Sequence, residues 1–123
     1  MSRPLRVLGG VTAAYSALII AAPDLLAKPS ELTDHSGRTT SATRLLIRAV
    51  GVRDAALGVA MMAAPPGVAL TAVTACRVAA DAGDAVAFGI LLPSTGAKVK
   101  IAGFAALWAA ANAVALARSR AGR

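Results

Sequence analysis

Apolar residues gather in four long runs with polar punctuation between them. The first covers residues 5–22, carries no charge after Arg6, and stops at Pro23. Residues 23–44 are polar and include Pro29, Ser30, Gly37 and the Thr39-Thr40-Ser41 cluster. A second run, 45–64, ends at Pro65-Pro66-Gly67; a third, 68–92, ends at Pro93-Ser94-Thr95-Gly96. The fourth covers 99–117, ahead of Arg118, Arg120 and Arg123. Each run is long for a strand, and 32 of the 123 residues are Ala, the best helix former and a poor strand former. The pattern therefore predicts an all-α fold in one domain, residues 1–123. The Pro-Pro-Gly triplet leaves room only for a tight reversal, so the second and third helices should form a tight antiparallel hairpin.

Length then suggests an environment. About 20 apolar residues cross the hydrocarbon core of a bilayer. The first and fourth runs reach that length almost uninterrupted; the second and third do so only if their charges are tolerated. A soluble bundle would show a polar face on every helix. Between Ile101 and Ala117 the only polar side chain is Asn112, and between Val7 and Ala22 only Thr12, Tyr15 and Ser16. The expectation is a four-helix transmembrane bundle, multi-pass in the plasma membrane, with the lipid bilayer as its main partner and a homo-oligomer compatible with the sequence. Arg3 and Arg6 ahead of an apolar run also resemble the start of a signal peptide, but Ile20 and Pro23 make a poor cleavage site.

Composition narrows the function classes. At 57% hydrophobic residues the chain is no disordered basic tail, and one cysteine, Cys76, gives neither a disulfide nor a zinc set. A net charge of +7 and a pI near 11.2 would suit nucleic acid, whereas a mean hydropathy of +0.66 favours lipid. The placement of the charges decides for lipid. Arg3, Arg6, Arg118, Arg120 and Arg123 fall on one side of a four-span topology and Lys28, Arg38, Arg44, Lys98 and Lys100 on the other. The basic excess marks membrane borders, with no nucleic-acid partner implied, and the tie leaves orientation open.

Six charges lie inside the second and third runs: Arg48, Arg53, Asp54, Arg77, Asp81 and Asp84. Ionisable groups in hydrocarbon cost several kcal/mol each, so they face the protein interior and pair. With a reversal at Pro66 and equal rise on both helices, Arg48 falls level with Asp84, Asp54 with Arg77, and Arg53 with Asp81. At about 100° per residue Arg53 points away from the face shared by Arg48 and Asp54, so the first two pairs are the better supported. On that face Gly51, Ala55 and Gly58 should oppose Ala80, Gly83 and Ala87, letting the two backbones approach. Asn112 is expected to hydrogen-bond between helices. The charged set reads either as a structural ion-pair network or as a polar pocket for a substrate, a lipid headgroup, a proton or a small lipophilic ligand.

The run Arg48-Ala49-Val50-Gly51-Val52-Arg53-Asp54-Ala55-Ala56-Leu57-Gly58, with Asp81-Ala82-Gly83-Asp84 on the next helix, resembles a family of small four-helix integral membrane proteins known as domain of unknown function number 4267. The resemblance covers about residues 5–116. It implies a four-helix membrane fold without implying an activity, and it marks Arg48, Arg53, Asp54, Asp81 and Asp84 as positions to test.

Other residues add little chemistry. His35 is the only histidine and has just Asp34 and Glu31 near it in sequence, too few ligands for a metal, and no cofactor motif is present; Gly9-Gly10 lacks a phosphate-loop context. Cys76 reads as a buried, inert thiol, Met61 and Met62 as apolar filling, and Trp108 and Tyr15 as mid-span residues outside any aromatic belt. Two function classes follow. One is a non-enzymatic membrane protein with a structural or ligand-binding charged core. The other is a membrane-embedded enzyme using Asp/Arg acid–base chemistry on a lipophilic substrate. A small proton-coupled exporter would want a carboxylate in the first helix, which has none before Asp24.

Overall fold

The computed structural model describes residues 2–122, which fold into helices α1 (Arg3–Ala21), α2 (Asp24–Ala27), α3 (Ser41–Ala63), α4 (Val68–Leu91) and α5 (Thr95–Ala121). No strand occurs among the described residues. The four long helices correspond to the four apolar runs, and two of them, α3 and α5, begin or end where hydropathy alone could not say. The Thr40 hydroxyl accepts from the Thr43 amide and starts α3 four residues before its apolar run. Ser94 does the same for Ala97 and starts α5 at Thr95. At its far end α5 runs on to Ala121, where Arg118 and Arg120 suit the negative end of the helix dipole. Pro4 sits in the first turn of α1, and Gly67, at φ +110°, makes the reversal between α3 and α4 that a side chain would oppose.

The packing differs from the expected hairpin. The intimate antiparallel pairs are α1 with α3 and α4 with α5, while α3 and α4 touch less extensively. Small residues explain this. A Cβ on Gly58 would stand 2.6 Å from the Gly9 carbonyl oxygen, and one on Gly51 would stand 2.7 Å from Ile20. The face carrying Gly51, Ala55 and Gly58 is therefore occupied by α1 rather than by α4. Gly83, assigned to the opposing stripe, has open space where its Cβ would be. Arg6 adds to the α1–α3 contact by donating to the carbonyls of Met62 and Ala64, which the end of α3 leaves without helical partners.

Two apolar clusters close the ends of the bundle. Leu5, Met61 and Leu70 pack with Leu116 at one end, and Ile19, Ala27 and Ile47 pack with Leu26 at the other. Between them the interior is polar: Thr12, Ser16, Thr74, Arg77, Asp81 and Asn112 are buried, while Leu18, Leu46, Val86, Ile90 and Leu107 are each more than half exposed. Cys76 is exposed, contrary to the expected burial, because α4 turns its Thr74–Arg77–Asp81 face inward. Among the described residues two helices, α1 and α5, are long and apolar enough to cross a membrane, where four were expected, because α3 and α4 carry the charges.

The connection after α1 is folded against the bundle. α2 follows Pro23 and presses Ala27 into the apolar end cluster. Asp24 accepts from the Thr39 hydroxyl at 2.6 Å, which holds its pKa down, with Arg44 assisting more weakly. Asp34 Oδ1 accepts from the Ser36 hydroxyl and from the amides of Ser36 and Arg38, at 2.7–2.9 Å, and its pKa is lowered chiefly by the Ser36 hydroxyl. A depressed carboxylate pKa contributes stability above the usual carboxylate range and loses it as pH falls through the folded value. Amide exchange at Ser36 and Arg38 should therefore quicken only below the usual carboxylate range, and Asp34→Ala should give the fast rate at neutral pH. Unchanged exchange in Asp34→Ala would remove the carboxylate from this role.

Candidate functional site

Five of the six candidate charges form one chain across the α3–α4 interface. Arg53 grips Asp84 with both terminal nitrogens, at 2.6 and 3.2 Å, and donates through Nε to Asp54 Oδ1 at 2.9 Å. Arg77 Nη1 lies 3.0 Å from the same Asp54 oxygen. Arg77 also holds Asp81, one turn along α4, donating to both carboxylate oxygens, through Nε at 2.8 Å. The order across the interface is Asp84, Arg53, Asp54, Arg77, Asp81. Burial is greatest at Arg77 and Asp81, whose side chains are each 4% exposed. These contacts bridge the looser pair of long helices, tying the α1–α3 unit to the α4–α5 unit.

The sixth charge stands apart. Arg48 is exposed and donates to the Ile20 carbonyl at 3.1 Å, near the end of α1. The expected Arg48–Asp84 pair is replaced by Arg53–Asp84, and the expected Arg53–Asp81 pair by Arg77–Asp81. Both changes share one cause. With α1 on the small-residue face of α3, Arg48 is carried toward α1, and the opposite side of α3, where Arg53 projects, meets α4. The Asp54–Arg77 contact is the one pairing that appears as the equal-depth argument has it. The inner cluster is therefore two Arg and three Asp rather than three of each.

A cavity of about 440 Å³ lies beside this chain, within the range of small-molecule sites. Asp54, Arg77, Asp81 and Asp84 form its polar wall. Facing them from α1 and α5 are Thr12, Tyr15, Ser16, Phe104 and Trp108, and Leu25, Leu26 and Pro29 cover the end nearest α2. The aromatic rings are organised: Tyr15 and Phe104 have centroids 6.0 Å apart, and Phe104 stacks on Trp108 at 6.0 Å with an 11° interplanar angle. Trp108 Nε1 donates to Thr12 at 2.9 Å and supplies the link between α5 and α1 that was expected of Asn112. Asn112 instead donates to the Trp108 carbonyl in its own helix, because that acceptor lies one turn back. A larger hollow of about 580 Å³ along α1 and α5 is open and lined by residues such as Pro4, Leu107 and Val114, away from the charged cluster.

Thr12, Ser16, Tyr15 and Trp108 belong to the site and were not read as site residues in the sequence. A signal existed: Thr12, Ser16 and Ile19 recur at helical spacing in an otherwise apolar run, as do Phe104 and Trp108. The α2 cover carries no such signal, since Asp-Leu-Leu-Ala is too short for periodicity to appear. Among the described residues no group of His, Cys, Asp and Glu side chains could hold a metal ion. No family model, curated protein or solved structure matches the chain. The class defined by fold and site is thus an all-α bundle with an ion-lined internal cavity.

Proposed function

We propose that this chain is a multi-pass membrane protein, spanning the bilayer with α1, α3, α4 and α5, whose internal cavity binds a small lipophilic molecule. The observation that carries the reading is the inverted distribution of polarity. Large aliphatic side chains cover the outside while an ion chain, Thr74 and Asn112 are buried within. In water that arrangement would expose apolar surface and bury charge, both unfavourable; in lipid both are favoured. α3 and α4 have 23 and 24 residues, about 35 Å of helix, enough for a core of about 30 Å, and five of their charges, Arg53, Asp54, Arg77, Asp81 and Asp84, engage one another at the α3–α4 interface. Kinship with the unknown-function membrane family is part of the same reading.

An acid–base enzyme fits less well. A general base needs a carboxylate free to take a proton, and Asp54, Asp81 and Asp84 each engage a guanidinium. The cavity also lacks a nucleophile paired with a base.

The reading is tested by fractionation and mass. The protein should stay with membranes through alkaline carbonate washing, dissolve in dodecylmaltoside, and retain the mass of the full α1. Recovery as a monodisperse aqueous protein would overturn the membrane reading. Removal of α1 as a leader would overturn the four-span form, since α1 supplies one cavity wall and the close contact to α3.

A further inference from the structure

We propose that the cavity ligand is a small lipophilic monocation, an aromatic or alkyl ammonium, bound between Asp54 and Ser16. This rests on the cavity reading above and adds the chemistry of its occupant. The cluster's charge favours a cation. With Arg48 drawn to the Ile20 carbonyl, the inner cluster holds Arg53 and Arg77 against Asp54, Asp81 and Asp84, one negative charge in excess. Lys100 also lines the cavity but does not cancel it. A Cβ on Gly89 would touch Ala102, which sets Lys100 level with the end of α4, about 10 Å toward the rim from Asp84. Lys100 is exposed there and makes no ion pair among the described residues.

The cavity wall also has unfilled hydrogen-bonding capacity. Ser16 is 1% exposed, lines the cavity, and its hydroxyl has no hydrogen-bond partner. Such a group in an apolar helix is costly unless something occupies the space before it. Both contacts of Asp54 with the arginines use Oδ1, which leaves Oδ2 without a hydrogen bond among the described residues. By the antiparallel register that brings Gly58 to Gly9, Ser16 and Asp54 lie about one helical turn apart in depth on neighbouring helices. An ammonium group placed between them donates to both and supplies the missing positive charge.

The opposite wall fits the same occupant. Tyr15, Phe104 and Trp108 present an aromatic surface, which suits the hydrocarbon part of such a ligand and attracts its cation. An anion would meet the excess carboxylate, and a neutral molecule would leave the charge uncompensated.

Trp108 is the only tryptophan and lines the cavity, so its fluorescence reports occupancy directly. The purified protein in dodecylmaltoside is titrated with 4-phenylbutylammonium, 4-phenylbutan-1-ol and 4-phenylbutanoate. The expected result is a saturable change with the ammonium, at least tenfold weaker binding of the alcohol, and none of the carboxylate. Ser16→Ala, which keeps the charges and adds no bulk, should weaken the ammonium severalfold while leaving the alcohol within twofold. Equal affinity for ammonium and alcohol would overturn the cation assignment and leave the cavity reading standing. Preference for the carboxylate would overturn it by reversing the sign. No saturable response to any of the three would overturn the cation assignment and the ligand-binding reading together.

Discussion

Arg77→Met should destabilise the protein by about 3–5 kcal/mol, the loss expected when one partner of a buried ion pair is removed. The side chain is 4% exposed and touches both Asp54 and Asp81, so its loss leaves buried Asp81 without a partner and Asp54 dependent on Arg53, which it shares with Asp84. Thermal unfolding in detergent, followed by far-UV circular dichroism, measures the effect. Arg77→Met combined with Asp81→Leu should recover most of it. The double change removes one charge of each sign, Asp54 keeps Arg53, and apolar residues of similar volume commonly replace a buried pair without loss. Arg48→Met provides the contrast. Its guanidinium is exposed and makes one bond to a carbonyl, so about 1 kcal/mol or less is expected. Equal losses for Arg48→Met and Arg77→Met would contradict the division of roles between the two arginines.

That contrast also marks where sequence reasoning stopped. The four helices were legible because apolar runs and proline punctuation are local signals, and the Asp54–Arg77 contact because the short reversal fixes depth along two helices. Depth was inferable; rotation was not. Which face of α3 meets which neighbour depends on competition between α1 and α4 for the Gly51–Gly58 stripe, and nothing in the α3 sequence names the winner. Placing α1 on that stripe turned Arg48 outward and Arg53 inward, so an apparently neutral set of six charges became an inner set of five. The cavity was hidden for a related reason. Its walls come from α1, α3, α4 and α5 together, and Ser16 or Trp108 gains significance only when opposed to Asp54 and Arg77.

Gly58→Ala should cost about 1–3 kcal/mol, although alanine is intrinsically the better helix former by about 1 kcal/mol. The added Cβ would stand 2.6 Å from the Gly9 carbonyl oxygen and 2.8 Å from the Ala13 amide nitrogen, and both are backbone atoms with no rotamer to yield. Relief requires α1 to move as a body. Movement at that contact would also draw Arg6 from the carbonyls of Met62 and Ala64 and shift Thr12 relative to Trp108. The fluorescence of Trp108 should therefore change in Gly58→Ala even without ligand. Gly83→Ala is the matched control on α4: its Cβ enters open space, so the propensity gain of up to about 1 kcal/mol should appear undiminished. Had α3 and α4 formed the close hairpin, Gly83→Ala would be the damaging change. The two melting temperatures thus discriminate between the packings directly: a lower value for Gly58→Ala and an equal or higher one for Gly83→Ala is expected of α1 seated on α3. A lowered value for Gly83→Ala would instead mean that α4 occupies that stripe, and with it that Arg48, rather than Arg53, faces Asp84.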